Sequence, residues 1–336
     1  MNKKLIATLL SAAMCLSLAA CGQKADAPAG SGSGSGAVSA SNGEKTQYTV
    51  GICQLVQHVA LDAATQGFID ALNEALPGQV TIENKNASGE PNNCATIVNG
   101  FVSEGVDLIM ANATGALTAA ASATADIPIL GTSITAYGVA LDIDNFSGTV
   151  GGNISGTSDL ADLSKQADMI LEWFPETQKV GLLFCSAEPN SKYQIDEVAK
   201  HLADKGIETK EFAFTDTNDV ASVTQAAADY SDVIYIPTDN IAASNTEAIA
   251  NVLVPAGVPA ICGEEGICSG CGVATLSLSY YDLGVTTGKM AAKILTGEAD
   301  ISTMPIEYTD ATPKYNAAMC EQLSITPVEG YTAIEG

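Results

Sequence analysis

Polar side chains that could hold a small solute follow several short apolar runs of the chain. In an open α/β sheet, ligand-contacting groups lie at the carboxyl ends of the strands, and these side chains stand at such ends in the predicted strands. The candidates are Gln54, His58, Asn112, Thr114, Thr132 and Ser133 in the first half of the chain, and Glu188, Asn190, Ser191, Asp239, Asn240 and Glu264 in the second half.

The two sets of candidates suit opposite charges on one solute. Asn112 and Thr114 stand at a predicted helix N-terminus, where free N–H groups and the helix dipole favour an anion such as a carboxylate. Asp239, Glu264 or Glu265 could pair with an ammonium group. Because arginine is absent from the chain, hydroxyls, backbone N–H groups or lysine would have to hold any anionic group.

Simpler roles exist for several of these candidates. Asp239 and Asn240 precede an apolar-periodic helix and could serve as its N-cap, a role that can coexist with ligand contact. Glu264 and Glu265 are adjacent and point in different directions, so we expect one of them to face the ligand. His58 is either a solvated or capping side chain or a ligand contact. Replacing Asp239 with alanine is expected to weaken binding while the fold survives.

Sequence signatures of enzymes and nucleic-acid-binding proteins are missing. The chain has only two histidines, His58 and His201, and it lacks a Gly-x-Ser-x-Gly elbow, a Walker lysine motif and a Gly-x-Gly-x-x-Gly turn after a strand. We therefore predict no catalytic residues and no cofactor. The formal net charge of -25 is the opposite of the basic surface that nucleic acid requires, so we predict no nucleic-acid partner.

Cysteine is unusually frequent, with nine in the chain. Cys262, Cys268 and Cys271 could close a loop disulfide or, with a fourth ligand, bind zinc. Because the spacing lacks the second half of a zinc ribbon, we predict no metal site. Cys53, Cys185 and Cys262 end apolar strands, where cysteine often serves as a small buried hydrophobe.

The candidate residues are positioned by strands and helices that alternate along the chain. The first unit, residues 48–76, joins an apolar strand to a helix whose inward positions include Leu61, Phe68 and Leu72. The alternation continues to residue 131 and resumes after the Gly/Ser/Thr/Asn-rich residues 147–158. Such alternation predicts right-handed crossovers and parallel sheets. We therefore expect an α/β protein with two doubly wound parallel-sheet lobes joined by a three-strand hinge.

The predicted organisation has four regions. Residues 1–21 are expected to form a lipoprotein signal peptide, and residues 22–45 a flexible Gly/Ser linker. The first lobe is expected to comprise residues 46–138 plus 279–302. The second lobe is expected to comprise residues 139–278 plus 303–336.

The amino-terminal region predicts export and a membrane anchor. Lys3 and Lys4 precede an apolar run that ends in Leu18-Ala-Ala-Cys21, which resembles a bacterial lipobox. In that arrangement Cys21 is lipidated and its acyl chains hold the protein at the extracytoplasmic face of the cell membrane. The alternative is an ordinary cleaved signal with an incidental cysteine.

Six motifs in one order carry a resemblance to a known family. They are QLVQHVALDAATQGFIDAL (54–72), GNISGTSD (152–159), VGLLFCSAEPNS (180–191), YIPTDN (235–240), GEEG (263–266) and YYDLG (280–284). Together they resemble the ABC-transporter substrate-binding lipoproteins related to tryptophan- and tyrosine-binding receptors. The resemblance implies the type I periplasmic-binding-protein fold, binding of an amino acid with aromatic ones favoured, and delivery to an ABC permease and its ATPase. Gln57 and Val59 stand where family members usually carry Glu and Pro.

Other functions are compatible with the same pattern. A sensor or adhesin could use the fold without transport, and similar clefts also serve sugars and nucleosides. An extracytoplasmic hydrolase of the cleft is a further alternative, which would turn its ligand over. We expect a monomer that binds its ligand unchanged.

Overall fold

The computed structural model describes residues 47–334, so the predicted signal peptide, Cys21 and the 22–45 linker lie outside the described residues. None of the helices in this described part is both long and apolar enough to cross a membrane. The strands are β1 Tyr48–Gln54, β2 Val80–Asn86, β3 Leu108–Asn112, β4 Ile129–Ile134, β5 Ile154–Ser158, β6 Lys179–Cys185, β7 Glu208–Phe214, β8 Val233–Ile236, β9 Ala260–Cys262, β10 Ala274–Ser277, β11 Glu307–Tyr308, β12 Thr312–Tyr315 and β13 Thr332–Ala333. The α-helices are α1 Val59–Ala75, α2 Pro91–Glu104, α3 Thr114–Ala123, α4 Tyr137–Ala140, α5 Leu163–Trp173, α6 Pro189–Asp204, α7 Val220–Ala228, α8 Asn240–Ser244, α9 Thr246–Ala256, α10 Glu265–Cys271, α11 Tyr280–Leu295 and α12 Ala317–Leu323.

Two sheets organise these elements. The first has the strand order β11-β5-β4-β3-β1-β2, with parallel pairing throughout. The second has the order β13-β12-β10-β9-β8-β6-β7, and only its β10–β12 pair is antiparallel. The predicted α/β class with two doubly wound lobes is confirmed. The order of strands reverses between β1 and β3 in one sheet and between β6 and β8 in the other, and such switch points open crevices where ligands bind.

The central strands of each sheet are buried on both faces, which explains why β1, β3, β6 and β8 are mostly apolar. Alternate side chains of β1 point to opposite faces. Cys53 packs with Phe101 of α2, whereas Ile52 packs with Phe68 of α1 and Met290 of α11. The second sheet repeats the arrangement with two cores of its own.

Three short segments connect the two sheets, and we call them the hinge segments: residues 159–162, 278–279 and 309–311. The predicted boundary between the lobes at residue 138 does not agree with the observed pairing of the strands. Strands β5 and β11 fall within residues expected in the second lobe, yet β5 pairs with β4 and β11 pairs with β5. The chain therefore leaves the first sheet after Ser158, since the Gly/Ser/Thr/Asn-rich residues 147–158 contribute the buried strand β5 to that sheet first.

Helix α11 returns to the first sheet and packs closely on α1. Glycine makes this approach possible: a Cβ built on Gly284 would collide with the Ala64 carbonyl oxygen, and one on Gly67 would collide with the Tyr281 carbonyl oxygen. A Cβ on Gly288 would lie 2.6 Å from the Phe68 carbonyl oxygen. The two backbones are therefore nearly in contact along this seam, which anchors one side of a hinge segment to the first lobe.

The close packing of α1 and α11 predicts that a methyl group added between them lowers the stability of the protein, whereas one added at an open position on another helix does not. Gly284→Ala should lower the free energy of unfolding by about 1–3 kcal/mol because the helices must separate. Gly100→Ala on α2 is the matched control, since nothing lies within 4 Å of its Cβ and alanine is favoured over glycine within a helix by roughly 0.5–1 kcal/mol. Urea denaturation of both variants measures the difference. Equal midpoints for the two would contradict the close packing of α1 and α11.

Candidate functional site

The carboxyl ends of the two sheets face each other around a small central cavity. Of the predicted site residues, His58 and Ser133 reach it from the first lobe, and Asn190, Asp239, Asn240 and Glu264 reach it from the second. The remaining lining residues are Leu61, Thr135, Asp159, Thr238, Ala243 and Tyr280. Its volume of about 10 Å³ is room for roughly one water molecule. A larger solute can enter only when the lobes move apart.

A larger groove of about 730 Å³ opens beside the cavity, on the side away from the hinge segments. Both lobes line it, and Asn190 borders the groove as well as the cavity. Of the predicted residues, Thr114 and Glu188 also lie here. Apolar lining comes from both sides of the groove: Leu55, Pro91, Ala95, Ala119, Pro189 and Ile241.

Four predicted site residues, Gln54, Asn112, Thr132 and Ser191, line neither space and bond within the lobes instead. The Asn112 amide donates to the Leu61 carbonyl at 2.9 Å and to the Thr65 hydroxyl at 3.0 Å, and Gln54 accepts from Thr65 at 2.7 Å. The Thr132 hydroxyl lies 3.1 Å from that of Thr157. Their polar side chains and their positions near strand ends predicted that these residues would contact a ligand. In the structure their side chains point into the lobes and bond to other residues of the protein instead.

The carboxylates of the second lobe cap helices at the cavity wall. Asp239 accepts from the Ala242 N–H at 2.8 Å and from the Cys185 N–H at 2.6 Å, so it joins α8 to the end of β6. Glu264 accepts from the Gly266 N–H at 2.6 Å and also from the Ile267 N–H, at the start of α10. The predicted N-cap role of Asp239 therefore coexists with its position at the cavity, and Glu264 combines the same two roles.

Glu188 is the third capping carboxylate, and it organises Asn240. It accepts from the Asn240 side-chain amide at 2.6 Å and from the Ile241 N–H at 3.0 Å. Burial raises the pKa of Glu188 to about 8, and the neighbouring Asp239 adds to the shift. Burial likewise raises the pKa of Glu264 to about 7 and raises the pKa of Asp239, against the lowering effect of the backbone N–H groups.

Asp159 is the principal residue that the sequence reasoning missed. It directly follows β5 in the first hinge segment and is buried. Its Oδ2 accepts from the Tyr280 hydroxyl at 2.8 Å. Burial raises the pKa of Asp159, and the Tyr280 and Thr135 hydroxyls oppose that shift. The available signal was its place as the last residue of the motif GNISGTSD (152–159).

Four buried polar atoms lining the cavity have no hydrogen-bond partner among residues 47–334: His58 Nδ1, Ser133 Oγ, Asp159 Oδ1 and Asn190 Oδ1. Buried polar groups are nearly always bonded, because an unmet one costs about 1–3 kcal/mol. A concentration of unmet donors and acceptors around one cavity is therefore typical of a binding site. The oxygen of Asp159 and that of Asn190 accept, whereas the Ser133 hydroxyl can donate.

His58 links the two lobes at the cavity. Its Nε2 lies 3.2 Å from Asn240 Oδ1. Burial lowers the pKa of His58, although the bond to Asn240 and the charge of Asp62 oppose the shift. The neutral ring can therefore donate through one nitrogen and accept through the other. Because the bond runs from the loop after β1 to the start of α8, it forms only when the lobes are close.

Residues 49–332 match the family described as ABC transporter substrate binding protein. The chain belongs to this family. It is 31% identical over 274 residues to a tyrosine-binding protein of Clostridioides difficile (strain R20291), which covers 80% of this chain and 78% of that protein. These proteins bind small solutes and are not enzymes, as the sequence predicted.

Solved structures of relatives show the same fold. An ABC domain from Streptococcus pneumoniae in complex with L-Trp has 29% identity and a TM-score of 0.81, covering 86% of this chain and 100% of that one. The ligand-free, open structure of a substrate-binding protein with adhesive properties from Clostridium difficile has 31% identity and a TM-score of 0.65, with 86% and 99% coverage. At nearly equal identity and coverage, this substrate-binding protein superposes better on the tryptophan-bound relative than on the ligand-free, open one.

The buried Glu264 predicts a pH-dependent stability. Its folded pKa of about 7 lies above the ordinary value of 4.5, so the folded state holds the proton more tightly. Its contribution to the free energy of unfolding is therefore greatest below about pH 4.5 and falls by roughly 3 kcal/mol as the pH rises past 7. In Glu264→Gln, chemical denaturation between pH 5 and pH 8 should show a shallower fall. The exposed Glu247 supplies the control variant Glu247→Gln, and the prediction is wrong if both variants keep the wild-type slope.

Proposed function

We propose that this substrate-binding protein receives an amino acid, with aromatic ones favoured, and delivers it to an ABC permease and its ATPase. The observation that carries the proposal is the set of four unmet polar atoms around the central cavity. They supply acceptors for an ammonium group and a donor for a carboxylate within one enclosed space between the lobes.

The ammonium group is assigned to the Asp159 side of the cavity. Asp159 Oδ1 and Asn190 Oδ1 are unmet acceptors, and an ammonium group carries three donors. Asp239 and Glu264 line the same cavity, and no lysine is among its lining residues in the described part of the chain. Burial already disfavours the ionised form of these carboxyl groups. A bound cation would favour ionisation, so the site is built to gain from positive charge.

The carboxylate is assigned to the Ser133 side of the cavity. The Ser133 hydroxyl is an unmet potential donor at the end of β4. His58 Nδ1, which lines the same cavity, is an acceptor, because Nε2 of the neutral ring donates to Asn240 Oδ1. Ser133 has a φ of 55°, in the left-handed region that non-glycine residues rarely adopt. Backbone conformations of this kind concentrate at ligand sites. A hydroxyl donor answers the need created by the absence of arginine.

The ligand side chain is assigned to the groove beside the cavity. Leu55 and Ile241 approach from the two lobes, and the space of about 730 Å³ is ample for an aromatic ring. Relatives described as binding tyrosine or L-Trp support an aromatic ligand. A ligand held by Asp159, Ser133 and Asn190 touches both lobes and the hinge, and therefore favours the closed state over the open one.

Lipid anchoring and permease delivery complete the proposal. The sequence motif ending at Cys21 supports lipidation, and the two dozen residues of the Gly/Ser linker would give the receptor a reach of roughly 25–30 Å from the membrane. We expect the protein to act as a monomer at the extracytoplasmic face. Its acidic surface suits a permease surface of complementary charge.

An adhesive role without transport is the second candidate, because one relative is described as having adhesive properties. It predicts that cells lacking this protein adhere less well to the surface on which they grow but take up amino acids at the normal rate.

A ligand panel tests the amino-acid assignment. Tryptophan and tyrosine should raise the melting temperature, because a ligand at a hundred times its Kd stabilises the protein by about 2.7 kcal/mol. Indole-3-propionate, which lacks the ammonium group, and tryptamine, which lacks the carboxylate, should shift the melt much less. A response to a sugar or nucleoside, with none to any amino acid, would overturn the assignment.

Asp159→Asn tests the ammonium subsite. The amide keeps an oxygen for the Tyr280 hydroxyl but removes the negative charge, so we expect binding of the amino acid to weaken about 10- to 100-fold, since charged hydrogen bonds contribute about 1.5–3 kcal/mol. Isothermal titration calorimetry measures the change, with the exposed Asp126→Asn as the control. Wild-type affinity in Asp159→Asn would remove Asp159 from the site.

A further inference from the structure

Three cysteines meet directly behind the ligand cavity in the second lobe. Cys262 ends β9, and Cys268 and Cys271 lie on α10, three residues apart. All three are buried. The three side chains pack in one core of the second lobe. Three thiols at one place are more than the packing role of a small hydrophobe requires.

The geometry favours Cys268 as the partner of Cys262. A Cβ built on Gly272 would collide with Cys262 Sγ and would lie 3.0 Å from Cys268 Cα, so the Cys262 sulfur lies close to the backbone of Cys268. The Cys271 thiol donates instead to the Ile267 carbonyl at 3.3 Å within its own helix. Gly272 is the residue type that leaves space for this approach.

A metal centre does not account for the cluster. Within residues 47–334 no group of three or more His, Cys, Asp or Glu side chains is arranged to hold a metal ion. Zinc requires four ligands in a structural site. The remaining chemistry open to neighbouring thiols is disulfide formation.

We propose that Cys262 and Cys268 form a regulatory disulfide that controls the ligand site. In this reaction two S–H bonds break and one S–S bond forms, and the two protons and two electrons reduce a small-molecule disulfide to two thiols. The bond closes a short ring around residues 263–267. Because the folded protein buries both thiols, oxidation proceeds during folding or local opening of α10. Burial also raises the pKa of the Cys262 thiol, so this thiol reacts slowly once the protein has folded.

The ring contains the residue that connects the thiols to the ligand. Glu264 lines the cavity and caps α10 through the N–H groups of Gly266 and Ile267. Gln166 donates to the Gly263 carbonyl at 3.3 Å, and Asn316 donates to the Cys268 carbonyl at 2.9 Å. These bonds fix both ends of the ring in the reduced form. Formation of the disulfide moves Cys268 towards Cys262 and displaces Glu264 from its position at the cavity. The oxidised form therefore binds the amino acid more weakly.

Peptide mapping tests the disulfide without reference to any ligand. The full chain is unfolded in urea and refolded with either oxidised glutathione or dithiothreitol, then alkylated, digested and examined by mass spectrometry. A peptide linked between Cys262 and Cys268 is expected only after oxidation, and it should persist in Cys271→Ala and vanish in Cys268→Ala. Full alkylation of both Cys262 and Cys268 after oxidation would overturn the proposal.

Affinity measurements test the regulatory step, which rests on the proposed function. Calorimetry with tryptophan should show binding about tenfold weaker in the oxidised form, with restoration by dithiothreitol and no redox response in Cys268→Ala. Cys53 and Cys94, which pack in one core of the first lobe, provide the control Cys94→Ala, which should keep the response. A redox response lost in Cys94→Ala but kept in Cys268→Ala would overturn the proposal. Absence of tryptophan binding in either form, with the linked peptide present, would count against the amino-acid assignment alone.

Discussion

Burial of carboxyl groups at the strand ends of the second lobe is the constraint on which this structure depends. Removing a carboxylate from water is costly unless hydrogen bonds replace the lost hydration. Glu188, Asp239 and Glu264 obtain those bonds from the N–H groups that begin helices α8 and α10 and from the end of β6. The same bonds set the direction of each helix away from the cavity. The cavity wall and the lobe that carries it are therefore stabilised by one set of interactions.

This arrangement separates structural carboxyl groups from the one that is free to bind. Both oxygens of Asp239 and of Glu264 accept from backbone N–H groups. Asp159 accepts from the Tyr280 hydroxyl through Oδ2, and its Oδ1 is unmet among the described residues. The capped groups supply negative potential at a fixed distance, and Asp159 supplies the contact. Its place in a hinge segment couples that contact to movement of the lobes, because the chain crosses between the sheets at this point.

In the first lobe, close packing holds helix α11 after the chain returns from the second sheet. Helix α11 begins beside the cavity with Tyr280 and continues along α1, where Gly67 and Gly284 allow the backbones to approach. Tyr280 is buried and bonded to Asp159, whereas its neighbour Tyr281 is partly exposed and bonds Asp70. Close packing of α11 therefore positions one wall of the ligand site. In the second lobe the Asp239 carboxylate has a similar structural role, since it joins α8 to β6.

The sequence by itself determined the α/β class, the two parallel sheets and the polar character of the strand ends, because apolar periodicity and turn residues are local properties that recur with each element. It also placed His58, Ser133, Asn190, Asp239, Asn240 and Glu264, which the structure brings to one cavity. Only the tertiary structure decided that Gln54 and Asn112 turn inward, that β5 and β11 extend the first sheet, and that Asp159 keeps an unmet oxygen. Those outcomes depend on which groups, distant in the sequence, supply hydrogen bonds. The type and position of a single strand-end residue do not specify those partners.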